Sequence, residues 1–194
     1  LHPTPNAADL ELWDLFLKVA TKDGAVKRIA SFELFNDANN SSAASVWPAQ
    51  GGNNTWHMNI NAAFKDDRKD LIHTLVHEYG HTLTLSDDQV TTVSGACPWL
   101  QLPEGCSKEA AYITTFQREF WDKYANAPSV ESSDQNAATA LYQATPDSFV
   151  SEYAATNVGE DLAESWTIFV LQSKPSGDTE KDKKVQFFYR YVNS

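Results

Sequence analysis

From Asp9 to Ala20, apolar residues recur in steps of three and four: Leu10, Trp13, Phe16, Leu17 and Ala20, with Glu11, Asp14 and Lys18 on the wetter side. The spacing predicts an amphipathic helix, ended by Asp23-Gly24. Val26 to Phe35 then alternates, with Ala30, Phe32 and Leu34 on one face and Ile29, Ser31, Glu33 and Phe35 on the other, which predicts a strand. Asn36 to Asn54 is rich in asparagine, serine and glycine and reads as a loop or irregular hairpin around Val46-Trp47. Thr55 to Asn61 alternates again, placing Trp56, Met58 and Ile60 opposite His57, Asn59 and Asn61. Its exposed edge is a candidate track for an extended peptide.

A helix is expected from Asp66 to about Leu83, with Ile72, Leu75, Val76, Tyr79 and Leu83 on its packed side. Ser86 to Gly105 reads as a long loop, and Lys108 to Tyr124 as a helix burying Ala111, Ile113, Phe116, Phe120 and Trp121. After a linker from Ala127 to Gln135, a short helix covers Ala137 to Gln143, and a longer one runs from about Gly159 to Leu171. Glu180 to Tyr191 forms a terminal helix packing Val185, Phe188 and Tyr189, with Val192 just beyond. The charge runs 66–70 and 181–184 read as solvated helix faces. Residues 1–7, with His2, read as a loose start.

Composition narrows the classes. A chain of 194 residues is most simply one domain, here with sublobes of about 1–83 and 84–194. Its formal net charge of -11 argues against nucleic acid or an anionic membrane surface as partner, since both need a basic face. No apolar run approaches the length of a membrane span. The chain opens at Leu1 without methionine, so a processed or cut product is expected and the missing signal segment leaves export open. Cys97 and Cys106 flank an irregular loop with two prolines and a glycine, where a disulfide is expected and with it an oxidising compartment. Asn39, Asn40 and Asn53 head N-x-Ser/Thr triplets, a weak signal within an asparagine-rich stretch.

The chemistry concentrates in His77-Glu78-Tyr79-Gly80-His81. Histidines four apart on a helix lie one turn apart on one face, so both imidazoles reach one metal ion. Glu78 can then reach a water on that metal. A catalytic zinc site takes three protein ligands and keeps a position open. Residues 82–194 contain no histidine, so the third ligand is a carboxylate or a cysteine. Glu160 and Glu164 share a helix face and make the best carboxylate segment; Asp161 is a rival, and Glu160 also suits a helix cap with Asn157. His73 approaches the face of His77 from one turn earlier and suits a supporting rather than a liganding role.

These two segments resemble the zinc metalloendopeptidases with a histidine-pair helix and a glutamate third ligand, the group of the anthrax lethal factor catalytic domain and the clostridial Pro-Pro endopeptidases. In that group a tyrosine precedes the liganding glutamate by seven residues and another glutamate follows it by four, as Tyr153, Glu160 and Glu164 do here. The resemblance implies Glu160 as third ligand, Glu164 as an acid steadying a liganding histidine, and Tyr153 as hydroxyl donor to the tetrahedral intermediate. It covers the two motif segments, not the first 60 residues. The expectation is therefore an α+β zincin-like domain, a short sheet and central metal-binding helix facing a mostly helical lobe. It would act as a secreted Zn2+-dependent endopeptidase on protein or peptide substrates. A catalytically silent binding module and a structural metal domain with four ligands are the alternatives.

Overall fold

The computed structural model describes residues 6–191 apart from 21, 41, 50 and 53. His2, Asn53 and Val192 lie outside the described residues. The fold is mixed α+β, with two small sheets and several helices, and the chain divides into two compact units, Leu1–Thr82 and Leu83–Ser194.

The first unit begins with α1 (Ala7–Val19), α2 (Lys22–Arg28) and β1 (Ile29–Phe35). The expected strand start at Val26 is corrected: residues 22–28 are helical. Val26 is the one large apolar side chain in that stretch and is 61% exposed, so no alternating face is available to bury. Lys27 and Arg28 occupy the last turn, where cations suit the helix dipole. Strands β2 (Ala44–Pro48) and β3 (Trp56–Asn61) complete a sheet ordered β1-β3-β2, parallel between β1 and β3 and antiparallel between β2 and β3. This overturns the edge expected at residues 55–61: β3 is the central strand, with both its hydrogen-bonding sides paired. The sheet's outer strands are β1 and β2.

The alternation in β3 behaves as read, leaving Trp56, Met58 and Ile60 essentially inaccessible. In β1 a register irregularity between Ile29 and Ser31 resets the alternation, so Ile29 packs on the same core as Phe32 and Leu34. That core joins Leu12, Leu15 and Phe16 of α1, with Ala20 just after it, to Met58 and Ile60, and to Leu71 and Leu75 of helix α3 (Arg68–Thr84). Trp13 meets Phe32 edge-on at 5.1 Å, and Phe16 meets Tyr79 at 6.0 Å. Leu10, expected on the buried side, is 49% exposed; Leu12 and Leu15 take its place.

The second unit opens with a three-stranded sheet inside the expected long loop. Its order is β4-β6-β5, from Val90–Thr91, Gln101–Leu102 (β5) and Gly105–Ser107 (β6). The Cys97–Cys106 disulfide is formed and ties the loop to β6. The next helix is shorter than expected: α4 (Tyr112–Phe116) passes into a π turn over Gln117–Trp121, although Ala111, Ile113, Phe116, Phe120 and Trp121 are all buried as read. Helices α5 (Gln135–Ala144), α6 (Val158–Leu171) and α7 (Glu180–Phe187) follow. The unit is built on aromatic pairs, including Phe116–Phe187 at 5.3 Å, Trp121–Phe149 at 5.7 Å and Trp166–Phe188 at 5.5 Å. Among the described residues, no helix is long and apolar enough to cross a membrane.

Candidate metal centre

Helix α3 starts where the Asp67 carboxylate accepts the backbone N–H groups of Lys69 and Asp70, both at 3.1 Å. Leu71, Leu75 and Val76 bury its core face. One turn apart on an adjoining face, His77 is 5% exposed and His81 is half-buried. Their Nε2 atoms lie 3.1 Å apart, with the rings nearly perpendicular.

The opening of α6 is fixed by Asn157, whose side chain accepts the Glu160 backbone N–H at 3.0 Å. Val158, Asp161, Leu162 and Ser165 follow at core spacing and are buried. The cap uses the main chain of Glu160, while its carboxylate serves elsewhere: the ligand atoms of His77, His81 and Glu160 all lie within 4.8 Å of one another. Capping and clustering thus coexist in one residue.

Two imidazole nitrogens and a carboxylate oxygen could coordinate a divalent ion. Two nitrogens bound to tetrahedral zinc at about 2.0–2.1 Å stand about 3.3–3.4 Å apart. The observed 3.1 Å between the Nε2 atoms is close to that separation. Without a metal, the same pair can share a single N–H. The rival ligands are spent elsewhere. Both cysteines are in the disulfide. Asp161 is wholly buried; its carboxylate pairs with the Lys184 ammonium at 2.6 Å and accepts Trp121 Nε1 at 2.7 Å and Ser165 Oγ at 3.4 Å. Burial pushes the Asp161 carboxyl up to about 6 against the pull of these donors, and burial likewise lowers the Lys184 ammonium.

The other candidate residues fall around these elements. Glu78 follows His77 on α3 and is half-buried. Glu164, one turn after Glu160, is 5% exposed and accepts Ser151 Oγ at 2.6 Å. Ser151 Oγ also accepts the Ala154 N–H at 3.0 Å, which ties Glu164 to the 3-10 turn Tyr153–Ala155. Tyr153 itself is 46% exposed. His73 lines a cavity of about 470 Å³ with Asp66, Asp67, Asp70 and Phe64 at the start of α3.

Ser151, which donates to Glu164, and Lys184, which pairs with Asp161, carry no motif that marks them. Ser151 precedes Ala154 by three, the spacing of a serine that caps a turn. Lys184 corrects the solvated-face reading of residues 181–184: it is completely buried. It stands three and four residues before Phe187 and Phe188, so helical periodicity placed it on the packed side. The chain matches no protein-family model, no curated protein and no solved structure.

Proposed function

We propose that this chain is a zinc-dependent endopeptidase of zincin-like architecture, secreted and acting on protein or peptide substrates. The observation that carries the reading is the convergence of His77, His81 and Glu160 with Glu78 beside the first histidine. His77, His81 and Glu160 would hold the ion. Bound zinc would supply Lewis acidity and a water of lowered pKa. Glu78 is the general base, accepting the proton of the attacking water and passing it to the leaving amine. The Tyr153 hydroxyl donates to the oxyanion, a role its exposed position suits. Glu164, whose carboxylate accepts Ser151 Oγ, would steady a liganding histidine, and His73 would support the site from the preceding turn of α3. An extended peptide adding to the first sheet would pair with β1 or β2, because β3 is fully paired. The disulfide fits an oxidising compartment, which supports the secreted assignment.

The test is Glu78→Gln. Zinc content is expected to stay at the wild-type level while cleavage of a quenched peptide library falls by at least about 100-fold. Undiminished cleavage would remove Glu78 from its assigned role.

A further inference from the structure

The second unit holds a feature that metal binding alone does not require: a salt bridge with both side chains at 0% exposure, Asp161 on α6 and Lys184 on α7. We infer that Asp161 and Lys184 are positioning residues for the metal centre, setting the rotation of α6 and with it the direction of Glu160. The inference rests on the metal-centre reading above. Neither residue touches the ion; both act through the helix.

The geometry is over-determined at this point. Asp161 must meet Lys184 Nζ, Trp121 Nε1 and Ser165 Oγ together. Lys184 is itself held, with Nζ 3.8 Å from the centre of the Phe149 ring and 3.8 Å from Glu180 Oε1. Glu180 in turn accepts the Tyr124 hydroxyl at 2.8 Å, and α7 is closed at its start by a reciprocal capping box between Thr179 and Asp182. Trp121 belongs to the π turn after α4 and Lys184 to α7, so two other elements converge on this α6 carboxylate, while Ser165 lies on α6 itself.

A buried ion pair is a poor way to gain stability. Apolar residues of similar volume often pack as well or better, because two charges need not leave water. What the pair adds is direction, since hydrogen bonds to a carboxylate are satisfied at few helix rotations while apolar packing tolerates many. The scale matters. Glu160 precedes Asp161 directly, and its carboxylate sits about 5–6 Å from the helix axis, so a slip of about 20° moves it by about 2 Å. Ligand distances at a metal hold to about 0.2 Å. Fixing Asp161 therefore holds the Glu160 backbone where its carboxylate can meet the two histidines.

The test is zinc affinity of the folded, metal-free protein by competition with a chromophoric chelator, with near-ultraviolet circular dichroism to show native packing. Lys184→Met strands the Asp161 charge and is expected to weaken zinc binding by about 10-fold or more, the range for residues that orient metal ligands. Adding Asp161→Asn to Lys184→Met removes that charge yet keeps an acceptor for Trp121, and is expected to recover most of the affinity. Val185→Ala, a core truncation on the same helix, lowers stability and is expected to leave affinity unchanged. A folded Lys184→Met protein with wild-type affinity overturns the inference, as does a Val185→Ala protein that loses as much. If Lys184→Met does not fold, Asp161→Asn alone is read by the same criterion. Wild-type protein that takes up no zinc fails the metal-centre reading first, a result distinct from uptake that Lys184→Met leaves unchanged.

Discussion

Asn61 is where the first sheet hands over to the helix that carries His77 and His81, and replacing it should be among the costlier polar substitutions in the first unit. Its side chain is fully buried at the end of β3. Oδ1 accepts the N–H groups of Asp37 and Ala63, both at 3.1 Å. Nδ2 donates to the carbonyls of Asp37 at 2.8 Å, Ser42 at 3.2 Å and Asn40 at 3.4 Å. One amide thus closes the loop between β1 and β2 and starts the 3-10 turn Ala62–Phe64 that leads to α3. Each such bond contributes about 0.5–1.5 kcal/mol net, and water reaching the exposed side of the loop recovers part of the loss, so Asn61→Ala should cost about 2–4 kcal/mol. Asn61→Asp is the sharper probe. It keeps the two acceptor contacts but turns an oxygen toward three carbonyls, which raises the folded-state pKa of the new acid above its unfolded value of about 3.9. A raised carboxyl pKa means stability present at low pH and lost as pH climbs, so the penalty should grow from about pH 4 to neutrality. Urea unfolding followed by tryptophan fluorescence at both pH values measures this as a shifted midpoint at constant slope. A loss under about 1 kcal/mol for Asn61→Ala, or a wild-type midpoint for Asn61→Asp at pH 7, would show that the Asn61 amide does not hold this loop.

Two further outcomes follow from named contacts. Replacing Cys97 and Cys106 with serine reopens a link of sequence separation 9 and should cost about 2–3 kcal/mol in the chain-entropy account, read as a lower guanidinium midpoint; an unchanged midpoint would show that β5 and β6 hold without it. Ser151→Ala removes the donor to Glu164 and the acceptor for the Ala154 N–H, so about 1–3 kcal/mol of stability should be lost. Because that bond tethers the turn of Tyr153, kcat should fall more than KM rises, and an equal rise in KM alone would detach Ser151 from the proposed chemistry.

The site was legible where its chemistry depends on local spacing. His77 and His81 needed only a helix, and the paired acids of α6 needed only one more. The carboxylate that joins them is narrowed to a short segment: Asp161 lies one residue off the face that Glu160 and Glu164 share, and the choice of Glu160 over Glu164 comes from resemblance; the structure adds a physical reason against Asp161 in its engagement with Lys184 and Trp121. The fold was legible in β3, whose alternation is strict, and less so in α1, where apolar residues occur nearly all round and the phase settles on Leu12 and Leu15 instead of Leu10. Strand order was not readable at all. A strand's own sequence does not say which neighbours pair with it, so β3 passed for an edge. The buried Lys184 was hidden by composition, because three charged neighbours suggest solvent while periodicity points to the core.

Everything proposed for the site depends on His77, His81 and Glu160 binding one zinc ion. Elemental analysis of extensively dialysed protein, before and after incubation with zinc, tests it most directly. About one zinc per chain, falling sharply in a folded Glu160→Ala variant, is the result expected of a three-ligand site. Zinc near zero with no uptake by the folded chain, or full retention in Glu160→Ala, would rule this three-ligand site out.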